Sequence, residues 1–79
     1  MKTMNYQERI TSDYKILLGK PVIKGTRITV ELILKKLSEG ANIEELLSMY
    51  PHLKREDILA VLYYASERIA NEEVLVTKL

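Results

Sequence analysis

Residues 29–51 read TVELILKKLSEGANIEELLSMYP, and the helical framework of the chain can be read from them. Val30, Ile33, Leu34 and Leu37 recur at the i, i+3, i+4, i+7 spacing of one helical face, with Lys35, Lys36, Ser38 and Glu39 on the wetter side. Thr29 stands where an N-cap belongs, since its hydroxyl can accept from a first-turn amide that has no partner within the helix. Gly40 offers the left-handed stop at the other end. The spacing predicts a helix over 30–39. Asn42 followed by Glu45 has the form of a capping box, and Ile43, Leu46, Leu47 and Tyr50 repeat the apolar spacing. Pro51 pushes the residue before it out of the α region, so a second helix is expected over 43–50.

Toward the C-terminus, a third helix is expected from Lys54 or Arg55 to about Ala70. Glu56 and Asp57 fall in its first turn, where the helix dipole favours negative charge. The short joint Pro51-His52-Leu53-Lys54 gives helices two and three the layout of a helix-turn-helix. Ile58, Val61, Leu62, Ala65 and Ile69 form one stripe, expected to face the core. Leu59, Tyr63 and Ala70 form a second, with Ala60 and Tyr64 beside them. A helix apolar nearly all round is expected to be buried on more than one side. The surplus predicts a homodimer joined through Leu59, Tyr63, Tyr64 and Ala70, which Asp at Leu59 or Tyr63 should dissociate. Residues 71–79 read as a tail. Within it Val74-Leu75-Val76 is a strand candidate, and Val74 and Val76 belong to the expected partner surface through strand addition to another protein's sheet.

Toward the N-terminus, Val22-Ile23 and Arg27-Ile28-Thr29-Val30 flank the turn-like Lys24-Gly25-Thr26, the pattern of a small hairpin or an extended hook. Pro21 cannot donate to a ladder, so this strand should begin there or lie at an edge. Gly25 is expected in a conformation closed to residues with a Cβ, and Thr26 can bond nearby backbone. Arg27 is expected to pair with Glu31. Residues 1–14 are polar and show no helical period. The fold class is therefore mainly α: a three-helix bundle of helix-turn-helix type with a short N-terminal hairpin or hook. A single domain is expected over 1–79, divided into an extended region 9–30, a three-helix unit 30–70 and the tail.

A chain of 79 residues buries only roughly 60–65% of its unfolded surface, so its core is marginal and self-association is an expected supplement. With no cysteine and His52 as the one histidine, neither disulfides nor a structural zinc site is expected. No apolar run approaches the ~20 residues of a membrane span, and no secretory signal follows Met1-Lys2. A cytoplasmic protein is the expectation. No cofactor is expected, and neither is a small-molecule substrate. Enzyme chemistry lacks its parts: there is no cysteine nucleophile, no glycine-rich phosphate loop and no metal-ligand spacing. Glu44-Glu45, Glu56-Asp57 and Glu72-Glu73 are adjacent pairs, which on a helix do not face one another.

Charge is uneven. Residues 1–29 carry a net +4 and residues 30–79 a net −3. Lys20, Lys24, Arg27, Lys54 and Arg55 are therefore the candidate DNA contacts. Against that reading, Glu56 and Asp57 lie where phosphates would approach, and only Lys54 and Arg55 on helix three suit base edges.

The run Gly19-Lys20-Pro21-Val22-Ile23-Lys24-Gly25-Thr26-Arg27-Ile28-Thr29-Val30, with Leu37-Ser38-Glu39-Gly40-Ala41 and Tyr50-Pro51-His52-Leu53, closely resembles domain-of-unknown-function family 433 over roughly residues 9–66. Members of that family resemble VapB-type antitoxins, and the family is placed among homeodomain-like helix-turn-helix folds. The resemblance implies a small prokaryotic protein, often encoded beside a PIN-like ribonuclease toxin that it neutralises, and binding of its own operator as a dimer or toxin complex. An interaction module without DNA binding is the rival expectation. At Lys54 the chain departs from the Thr or Ser that commonly opens the third helix, so that helix is expected to be less well capped. The resemblance carries over no catalytic residue.

Overall fold

The computed structural model describes residues 6–76, without the side chains of Gln7 and residues 72–76. Strands β1 (Ile10–Thr11) and β2 (Val22–Ile23) precede helices α1 (Val30–Ser38), α2 (Ile43–Met49) and α3 (Arg55–Val76), and 3-10 turns lie at Tyr6–Glu8 and Leu17–Gly19. The architecture is the expected mainly helical one, three helices with a small antiparallel ribbon near the N-terminus.

Local chemistry sets the helix ends. The Thr29 hydroxyl accepts from the Leu32 amide at 2.9 Å. At the far end of α1 the Gly40 amide donates to the Leu37 carbonyl at 3.0 Å and the Ala41 amide to Lys36 at 3.1 Å, a Schellman closure. It requires Gly40 at φ +105°, where a Cβ would be strained. Both halves of the Asn42–Glu45 capping box form, each at 2.8 Å. The expected weak start of α3 is corrected. Asp57, in its first turn, reaches back and accepts from the Lys54 amide at 2.9 Å, supplying the cap that the Lys54 side chain cannot.

The hook is real: the segment after the turn joins β2 by one antiparallel bridge, Val22↔Thr29, while the longer ladder of β2 is with β1. β2 pairs with β1 in the register Ile10↔Ile23 and Thr11↔Val22, so a strand arises within the polar lead that shows no pattern. Two residues are too few to reveal a period of two. Two hydrogen bonds make the Val22↔Thr29 bridge and close the hook: the Ile23 amide donates to the Ile28 carbonyl and the Val30 amide to the Pro21 carbonyl, both at 2.9 Å. The Thr26 hydroxyl donates to the Ile23 carbonyl at 2.7 Å and accepts from the Ile28 amide at 2.9 Å, with Gly25 at φ +83° in the bend.

Ile10, Ile23, Val30, Ile33, Leu46, Leu53, Ile58, Ala60 and Val61 form the core, between the ribbon, α1, α2 and the first half of α3. Two expectations about α3 fail. Its backbone stays helical to Val76, so Val74-Leu75-Val76 is neither a strand nor a tail, because nothing after Pro51 in this segment is a helix breaker. The first stripe is also not all core: Leu62 is 41% and Ile69 60% exposed. α1 and α2 are short, and α3 outruns them.

Candidate interaction surface

α3 presents an outer flank that the described chain covers only in part. Leu59 is 36%, Leu62 41%, Tyr63 38% and Ile69 60% exposed, and Ser66 and Ala70 between them are exposed as well. These positions share one side by their 3- and 4-residue spacing. Every described position from Ser66 to Asn71 is exposed, so the helix has left the body by that turn. The Ser66 hydroxyl donates to the Tyr63 carbonyl at 2.8 Å, which leaves no unpartnered donor in the middle of the flank.

The two tyrosines divide their work. Tyr6 packs against Tyr63 at 5.3 Å between ring centroids and edge-on against Tyr64 at 5.5 Å. Arg68 lies over the Tyr64 ring at 5.4 Å. Tyr64, expected at a partner surface, is half-buried and mainly fastens the N-terminal turn to α3. Val74 and Val76 lie on the helix, but their side chains fall outside the described residues.

The candidate DNA contacts are all exposed, on two features joined by Arg9. On the hook, Lys20 pairs with Glu31 at 3.2 Å; the expected Arg27–Glu31 pair does not form. At the start of α3, Arg55 lies 3.8 Å from Glu44 of α2. Lys24, Arg27 and Lys54 make no ion pair among the described residues. The Arg9 carbonyl accepts from the Lys24 amide at 2.7 Å, while its guanidinium donates to Asp57 Oδ1 at 2.9 Å. Asp57, 8% exposed, is thus neutralised inside the fold and presents no free carboxylate to an approaching phosphate. In the sequence Arg9 counts only as charge, because its partner is 48 residues away.

A second exposed apolar spot lies on the loop before β2, where Tyr14 and Leu18 are each 76% exposed. Leu17 and Leu18 sit there at φ +52° and +58°, a conformation that costs non-glycine residues about 1–2 kcal/mol each. Between the end of α1 and α2 runs an open cleft bordered by Glu39, Ala41 and Met49. No group of three or more metal-ligating side chains occurs among the described residues, and no described helix is long and apolar enough to cross a membrane.

The chain is similar to known proteins in sequence and in fold. An uncharacterised protein of Sinorhizobium fredii, y4eO, is 36% identical over 59 residues; the match takes in 75% of this chain but only 27% of that relative. The crystal structure of a DUF433 member protein from Anabaena variabilis superposes with a TM-score of 0.76 at 28% identity, covering 90% of this chain and 70% of the other. Residues 10–65, from β1 through the first half of α3, match the family described as protein of unknown function (DUF433), and the chain belongs to that family.

Proposed function

We propose that this chain is an antitoxin-like binding protein: a cytoplasmic homodimer, joined through the outer flank of α3, that neutralises a PIN-like ribonuclease toxin and performs no catalysis itself. The observation that carries the reading is the flank of Leu59, Leu62, Tyr63 and Ile69, which the described residues leave partly exposed. Large apolar side chains gathered on one exposed helix face are a feature of interaction surfaces. A small core that gains from association supports the same reading. The ribonuclease as partner rests on the antitoxin resemblance of the family. Co-expression with the product of the adjoining gene tests it: the two proteins should co-purify, and RNA cleavage should be suppressed. A partner that neither binds nor is inhibited sinks the proposal.

Leu62→Asp isolates the flank, because Leu62 is exposed and lies outside the core cluster. The variant should keep its helical circular dichroism while dimer affinity falls by roughly 100-fold, since a two-fold interface carries the change twice at ~1–2 kcal/mol each. Light scattering across a dilution series measures it. An unchanged dimer would remove the flank from the interface.

Operator binding is the second reading, favoured by Lys24, Arg27 and Lys54, which are exposed and make no ion pair among the described residues. A gel shift with the chain's own upstream DNA should then be salt-sensitive at micromolar protein. Replacing Arg27 and Lys54 by Ala should flatten the slope of log K against log salt by about one unit for each phosphate no longer neutralised. Absence of any shift leaves an interaction module without DNA binding.

A further inference from the structure

We infer that the hook and the start of α3 form one two-part grip on duplex DNA, and that the Arg9–Asp57 pair, touching no DNA itself, sets the two parts against each other. This rests on the operator reading above and adds the residues that hold the site in shape.

Lys24 and Arg27 belong to the hook, Lys54 and Arg55 to the start of α3, and all four are exposed. A relay of three hydrogen bonds joins the two parts. The Lys24 amide donates to the Arg9 carbonyl at 2.7 Å, the Arg9 guanidinium to Asp57 Oδ1 at 2.9 Å, and the Lys54 amide to Asp57 Oδ2 at 2.9 Å. Through these contacts, covalent lengths hold the Lys24 and Lys54 amides within roughly 20 Å of each other. The major groove of B-DNA is about 12 Å wide, so cations reaching out from the two parts can meet phosphates on both of its edges. Neither part carries an aromatic ring on which the bases of a single strand would stack, which favours a duplex.

Among the described residues, Arg9–Asp57 is the one hydrogen bond or ion pair between α3 and the segment from the N-terminal turn through the hook. The end of the hook is fixed to α1 instead, through the Val30 amide on the Pro21 carbonyl. Without the pair, the stance of the hook toward α3 depends on apolar packing, which has no preferred direction. Arg9 and Asp57 neutralise each other, so their work in the grip is geometric. Glu8 and Glu56 are exposed carboxylates beside these cations and oppose a phosphate by charge alone.

Two charge-matched variants separate geometry from charge. Asp57→Asn and Glu56→Gln each remove one negative charge at neighbouring positions, and the amide oxygen of D57N still caps the Lys54 amide. Arg9→Gln breaks the tie from the other side and leaves that cap alone. Fluorescence anisotropy with a duplex of the chain's own upstream DNA is read across a salt series, with circular dichroism melts of each protein alongside. E56Q should bind more tightly. D57N, although it gains the same net charge, should bind about fivefold more weakly, because the two parts lose their fixed spacing. R9Q should weaken binding with the slope of log K against log salt unchanged, since no phosphate contact is lost. D57N binding as tightly as the unaltered chain, or more so, would reduce Asp57 to a charge and overturn the inference, while the operator reading stands. A slope shallower by about one unit in R9Q would make Arg9 a phosphate contact and overturn it as well. Equal affinity for the single strands would overturn the duplex assignment. No binding of DNA by the unaltered chain would overturn both readings.

Discussion

Leu46→Ala is expected to remove about 3–5 kcal/mol, the usual range for emptying a fully buried leucine site. Leu46 is 0% exposed, set into the core from α2 beside Ile33, Ile58 and Val61. Close-packed surroundings relax only in part, so the loss combines transfer free energy with the cavity left behind. A domain of this length holds roughly 4–12 kcal/mol in all, so the variant loses a large share of its stability. Thermal unfolding followed by circular dichroism should show a melting temperature lower by about 15 °C or more. Leu62→Ala is the control: the same atoms are deleted from an exposed site, and monomer stability should fall by about 1 kcal/mol or less. Similar losses for the two variants would contradict the assignment of core and flank.

Asp57→Ala is expected to cost about 2–3 kcal/mol, because one carboxylate holds two separate parts of the fold. Its Oδ2 accepts from the Lys54 amide and closes the start of α3, and its Oδ1 accepts from Arg9. The Ala variant leaves that amide without its acceptor and a cation without its partner. Arg9→Ala should cost less, about 1 kcal/mol, since the Arg9 side chain is 33% exposed and water screens the pair. The double variant should cost less than the sum of the two singles, and the shortfall measures the coupling. Urea unfolding of all four proteins gives the cycle; strict additivity would show that the ion pair contributes nothing. Because β1 is tied to α3 through this pair, hydrogen exchange at Ile10 and Thr11 should accelerate in both single variants.

Much of the fold is legible from short-range chemistry. Thr29, Gly40, Asn42 with Glu45, and Pro51 act within one helical turn of themselves, and each marks its helix end within a residue or so. Gly25 and Thr26 announce the hook for the same reason. The ribbon is less legible: Ile10–Thr11 pairs with residues a dozen positions on, through backbone groups that every residue carries. The start of α3 misleads, because its cap comes from Asp57 inside the helix and not from the residue in the capping position. The candidate site is half visible. Apolar spacing separates Leu59, Tyr63 and Ala70 from the core, but it assigns Leu62 and Ile69 to the core as well. An apolar stripe does not record how long its neighbouring helices are.

Helix order, the caps and the excess of apolar surface on α3 follow from residues acting on near neighbours, so the chain carries them in its primary structure. Packing in three dimensions settles which face of α3 the short α1 and α2 can reach, that Arg9 and Asp57 meet across the fold, and that Glu31 takes Lys20 instead of Arg27. Such choices depend on distances between segments far apart in the chain, which local spacing does not encode.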